Sequence, residues 1–194
     1  MLKTFRIIGP LACLLSFASS ASAQALPVAT AEGRFQVGFT VTYARPDFRG
    51  QPNIGDPQYS RQFILGVSGY TDYALNDHLS LEGDFHCICL ITSLDRGELT
   101  YLVGPRITYP LGRYDIYAKG LFGFHDLDIQ EWQDNVGLNG GPGSAYSVGA
   151  GVDYAKSRRI MLRFLDIEIQ RWPNFVPRTI NPIVISSGFA YRFH

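Results

Sequence analysis

Val184-Ile185-Ser186-Ser187-Gly188-Phe189-Ala190-Tyr191-Arg192-Phe193-His194 puts Ile185, Ser187, Phe189, Tyr191 and Phe193 on one side of an extended chain, and Ser186, Gly188, Ala190, Arg192 and His194 on the other. A strand with one aromatic face and one small or charged face suits a barrel that meets lipid outside and encloses a polar lumen. In hydrocarbon every backbone N–H and C=O needs a protein partner, so such strands are stable only when the sheet closes on itself.

Seven further segments repeat the pattern. Arg34 to Ala44 alternates Phe35, Val37, Phe39, Val41 and Tyr43 with Gln36, Gly38, Thr40 and Thr42. Strands are also expected over 61–74, 79–88, 98–109, 115–126, 145–155 and 160–172. In the seventh, Arg163 and the series Asp166, Glu168, Gln170 lie on opposite parities, so both face inward only if a bulge falls at Phe164-Leu165. The connections alternate in length. Residues 45–60, 89–97, 127–144 and 173–182 are long or rich in Pro and Gly, whereas 75–78, 110–114 and 156–159 are short. Short turns on the periplasmic side and long loops outside are the arrangement of an outer-membrane barrel. The expected fold is therefore all-β: a closed eight-stranded antiparallel up-and-down transmembrane β-barrel.

Composition agrees with a membrane setting. The chain is 13% aromatic and only 18% charged, against about 25% charged in soluble domains. Mean hydropathy is zero, because polar and apolar residues alternate within each strand. Lys3 and Arg6, the apolar run Ile7 to Ala18 and the site Ala21-Ser22-Ala23 read as a cleaved signal peptide over 1–23. That predicts Sec-type export and one barrel domain over 24–194. Cys13 is read as part of that signal rather than as a lipid-attachment site. The 17 basic and 17 acidic residues balance, and without a basic block nucleic acid is not an expected partner.

Eight strands leave an interior narrow enough for side chains to fill. Glu82, Asp84, Arg106, Lys119, Arg163, Asp166, Glu168 and Arg192 are the expected lumen charges, four acids and four bases. Mutual pairing is expected, because an unpaired charge in such an interior is costly. A plugged lumen follows, with a narrow porin-like channel for small solutes as the alternative. The carboxylates could instead form an acid–base pair, but the balance of charge favours structural ion pairs.

His86-Cys87-Ile88-Cys89 invites a disulfide or a metal. Alternation puts His86 on the face opposite both thiols, and a bridge between the two cysteines needs the strand end to bend; two packed thiols are the expectation. His125-Asp126-Leu127 has no Ser two residues after the His, the spacing of lipid A deacylases, so an envelope lipid enzyme is disfavoured. No catalytic, cofactor-binding or metal-ligating set is expected, and the chain is read as no enzyme. Trp172 at the end of the seventh strand is read as an interface anchor. A lipocalin-like soluble barrel would reverse the polarity of the two faces.

The stretch Val67-Ser-Gly-Tyr-Thr-Asp-Tyr-Ala-Leu-Asn-Asp-His-Leu-Ser-Leu-Glu-Gly-Asp-Phe85 resembles strands two and three of small bacterial outer-membrane barrels related to the OmpA transmembrane domain. Tyr101-Leu-Val-Gly-Pro-Arg106, Gly149-Ala-Gly-Val-Asp-Tyr154 and Gly188-Phe-Ala-Tyr-Arg-Phe193 are similar to later strands of that group. The resemblance implies an outer-membrane location in a Gram-negative-type envelope and a structural or surface-interaction role. It implies as partners the membrane lipids, the barrel-assembly machinery and extracellular contacts through the four long loops. Phe189, Tyr191 and Phe193 would be the C-terminal assembly signal, with His194 in place of a terminal aromatic. OmpA's wall-binding domain has no expected counterpart after the eighth strand, and the resemblance brings no catalytic residues.

Overall fold

The computed structural model describes residues 34–45, 64–91, 97–128, 142–173 and 179–193. Eight strands cover most of them: β1 (Phe35–Arg45), β2 (Ile64–Ala74), β3 (Leu79–Ile91), β4 (Gly97–Leu111), β5 (Tyr114–Asp128), β6 (Gly143–Ala155), β7 (Ile160–Arg171) and β8 (Ile183–Phe193). Each pairs antiparallel with the next, and β8 pairs with β1, so the sheet closes into a barrel. The signal segment, half or more of each long loop and His194 lie outside the described residues.

Each short connection carries a local device that reverses the chain. In 75–78, the Asn76 side-chain oxygen accepts from the backbone N–H of His78 and Leu79, both at 2.9 Å. In 156–159, the Ser157 hydroxyl accepts from the N–H of Arg159 at 3.3 Å and of Ile160 at 3.1 Å. Between β4 and β5 the expected turn over 110–114 narrows to Gly112-Arg113, because Gly112 adopts φ 66°. Glycine takes that left-handed conformation without steric cost, so pairing runs on to Leu111 and Tyr114.

The two faces follow the alternation. Phe124 is 67% exposed and Phe122 60%, while Glu82 is 0% exposed. A water-soluble barrel has the opposite polarity, so the outer surface is built for lipid. At the turn end, Phe35 packs on Phe193 at 5.6 Å between ring centroids, Tyr114 on Tyr154 at 5.2 Å, and Tyr154 on Phe164 at 5.5 Å. These rings form part of the aromatic girdle that anchors a barrel at the headgroup level.

The bulge in β7 falls where parity requires it. Arg163 pairs with Gly188 and Asp166 with Ser186, three residues of β7 against two of β8. Phe164 and Leu165 are both exposed, and Arg163, Asp166, Glu168 and Gln170 are all buried. A second irregularity lies at the loop end of β3, where Leu65 pairs with Ile91 but Val67 with Cys87. Cys87 is disulfide-bonded there, in place of the expected free thiol.

Candidate functional site

The inward positions of six consecutive strands converge on one ionic network in the lumen. Lys119 on β5 places its ammonium 2.8 Å from Glu82, 2.6 Å from Asp84, 2.7 Å from Asp166 and 2.8 Å from Glu168. Arg106 on β4 reaches Asp72 at 2.9 Å, Glu82 at 2.9 Å and Asp153 at 2.7 Å. Arg163 on β7 reaches Glu82 at 3.0 Å, Asp153 at 3.2 Å and Asp166 at 3.3 Å. Glu82 thus accepts from all three cations. Charge-assisted bonds of this length are strong, and they offset the desolvation that burial imposes.

Two tyrosines support the guanidinium groups. Arg163 lies 3.5 Å above the Tyr70 ring and Arg106 3.8 Å above that of Tyr117. Each ring lies flat because its cross-strand partner is a glycine: Tyr70 faces Gly38, and Tyr117 faces Gly151. A Cβ on Gly38 would fall 2.0 Å from Tyr70 Cε1, and one on Gly151 2.4 Å from the Tyr117 hydroxyl. The glycines therefore leave the space in which ring and guanidinium stack.

A chain of hydroxyls closes the circle through β8 and β1, the two strands that lend no ion to the network, and on to β2 and β3. Ser186 on β8 bonds Thr42 on β1 at 2.9 Å, Thr42 bonds Ser68 on β2, and Ser68 bonds His86 Nδ1 on β3 at 2.9 Å. Toward the loop end, Ser147 donates to Glu168 at 2.7 Å, and the Trp172 indole donates to Gln170 at 3.3 Å. Apolar side chains flank the polar core at both ends. Ala44, Ile88 and Val184 pack together at the loop end, and Met161 and Ala190 pack with Tyr70 toward the turn end.

Seven of the eight expected lumen charges meet in this network, and Arg192 does not. It sits at the last inward position of β8, half-buried, in register with Gln36. No carboxylate lies within ion-pair distance of it among the described residues, since water at the rim can solvate the charge. The expected four-to-four balance also changes. Asp72 and Asp153 join Glu82, Asp84, Asp166 and Glu168, giving six carboxylates around Arg106, Lys119 and Arg163. Counting parity from Ser68 and from Ser147 would have found both. Tyr70 and Tyr117 break the rule that aromatics point outward; only their parity with Ser68 and Asp72 and with Lys119 marks them as inward.

Trp172 is likewise inward, 1% exposed, and stacks on His125 with centroids 4.4 Å apart and planes at 9°. The interface-anchor reading is thus corrected: the indole caps the lumen, and its N–H finds a partner there that lipid could not provide. His125 is buried beneath it rather than lipid-facing, so it is not placed for attack on an acyl chain in the bilayer. Phe189, Tyr191 and Phe193 are all exposed on the outer face of β8.

The chain matches the model of a family described as "Outer membrane protein beta-barrel domain" over residues 11–193. No curated protein matches it. Among solved structures, neisserial surface protein A (NspA) is similar, at 15% identity over 82% of this chain and 97% of that one, with a TM-score of 0.59. OprG from Pseudomonas aeruginosa is 11% identical over 84% of this chain and 97% of its own, with a TM-score of 0.51. The N-terminal barrel domain of OprF from the same organism is 9% identical, over 84% and 98%, with a TM-score of 0.51. At these identities the likeness is one of fold.

Proposed function

Because the chain belongs to the outer membrane protein β-barrel domain family and resides in the outer membrane, we propose that it serves there as a structural and surface-contact barrel whose lumen is closed by its own side chains. The observation that carries this reading is the Lys119 ammonium, 0% exposed, held by four carboxylates from β3 and β7 on opposite walls. An ion crossing the barrel would have to break several charge-assisted bonds at once and pass the apolar layers on either side. A chain with this lumen acts through its outer face on lipid and through its loops on the exterior. Barrels of this family have structural, adhesion or channel roles and are generally non-enzymatic.

Reconstitution of the purified protein into planar bilayers tests the closed lumen against the channel alternative. The expected result is no stable unitary current at physiological salt. Large, long-lived unitary conductances would overturn the plug and leave the narrow channel as the function.

The C-terminal aromatics have a second consequence in this reading. Phe193 packs on Phe35 across the β1–β8 closure and edge-on to Tyr191 at 5.0 Å. Phe193→Ala is expected to reduce the folded, outer-membrane fraction several-fold in cells, through weaker recognition by the assembly machinery, while refolding into detergent is less affected. Heat-modifiable gel migration of membrane fractions and of refolded protein separates the two effects. Equal losses in both would assign Phe193 to barrel closure alone.

A further inference from the structure

We propose that Asp84, His86 and Glu168 form a site for one divalent first-row metal ion, joining β3 to β7 across the lumen. One ligand atom from each of the three lies within 4.8 Å of the other two, and all three residues are buried. The observation that separates this triad from a mere acidic cluster is His86. Its ring is 2% exposed, its Nδ1 is held by Ser68 at 2.9 Å, and its Nε2 has no hydrogen-bond partner.

In the tautomer in which Nδ1 donates to the Ser68 hydroxyl, Nε2 presents a lone pair, the second-shell arrangement of metal-ligating imidazoles. Nε2 points at Glu168 Oε1, 3.6 Å away. Two ligand atoms about 2.1 Å from one tetrahedral ion stand at roughly that separation. In that tautomer no proton lies between Nε2 and Oε1, an oxygen that Lys119 also holds at 2.8 Å, and a metal ion between them would remove the repulsion of the two lone pairs. Asp84 Oδ1 also lacks a hydrogen-bond partner, its other oxygen being taken by Lys119.

Charge points the same way. Six buried carboxylates surround three buried cations in the network, an excess of acid that a dication would reduce. Lys119 touches the carboxylates of both candidate groups, Glu82, Asp84, Asp166 and Glu168, at 2.6–2.8 Å, so the nitrogen of His86 is what sets Asp84, His86 and Glu168 apart from the all-carboxylate group. No ion pair or hydrogen bond links Lys119 to His86 among the described residues. One imidazole with two carboxylates suits zinc, manganese or ferrous ions rather than calcium or magnesium, which take oxygen ligands. Because the site is enclosed, the ion would enter as the barrel folds. The inference does not depend on whether the lumen conducts.

The test refolds the protein into detergent micelles with zinc ion present, removes unbound metal by gel filtration, and measures the metal retained by mass spectrometry. The expected result is about one zinc per barrel, tetrahedral sites being filled singly, with retention falling roughly tenfold or more in His86→Ala and unchanged in His125→Ala. A wild-type barrel that retains no zinc above protein-free micelles would overturn the proposal, as would equal retention by wild type and His86→Ala. Should His86→Ala fail to fold, the visible spectrum of cobalt-loaded wild type decides. Intense d–d bands from a four- or five-coordinate nitrogen-ligated ion support the site, and the weak spectrum of an aquated octahedral ion rejects it.

Discussion

Lys119→Met is expected to destabilise the barrel by about 3–5 kcal/mol, the cost typical of removing one partner from a buried ion pair. The ammonium is the nearest cation to Asp84 and Glu168, and it shares Glu82 and Asp166 with Arg163. Methionine fills much of the volume but leaves four carboxylates facing each other in an enclosed space. Urea unfolding in phospholipid vesicles gives the measurement, with the fluorescence of lumen-facing Trp172 reporting the transition. Replacing one of the freed acids as well, as in Lys119→Met with Asp84→Asn, is expected to recover part of the loss, because neighbouring members of one network couple. A Lys119→Met barrel within about 1 kcal/mol of wild type would mean that water solvates the acids, since exposed pairs contribute no more than that. The closed-lumen reading would then fall as well.

Gly38→Val is expected to cost about 3 kcal/mol, at the top of the range for overpacking a filled interior. The added Cβ would fall 2.0 Å from Tyr70 Cε1 and 2.3 Å from Cζ, so the ring must leave the position in which it carries Arg163. A double-mutant cycle isolates that cause. In a Tyr70→Ala background the ring atoms that the new side chain would strike are gone, and its cost should fall by at least about 1 kcal/mol, in the range of couplings between touching residues. Equal costs in the two backgrounds would show that strand backbone, and not the ring, sets the requirement for glycine. The same logic extends to Gly143, where a Cβ would fall 2.5 Å from His125 Nε2. In both cases, as with Gly151 and Tyr117, a ring lies against a glycine directly opposite it on the neighbouring strand.

Strand number, the two faces and the β7 bulge were legible in the sequence because each depends on parity alone. Phe39 and Val41 must face one way and Thr40 and Thr42 the other, whichever strand lies beside them. The odd spacing of Arg163 and Asp166 likewise demanded one extra residue between two inward charges. What parity cannot supply is the identity of neighbours across the lumen. Glu82 and Arg163 are 81 residues apart and on opposite walls, and their contact follows from closure and register. The same holds for Gly38 beneath Tyr70, for Trp172 turned inward onto His125, and for His86 aimed at Glu168. Solvent on the outside and hydrogen bonding in the backbone act on every strand alike, so sequence periodicity determined the barrel and its membrane setting. Which charges meet, which ring rests on which glycine, and why Arg192 stays apart were decided only when eight strands shared one narrow interior.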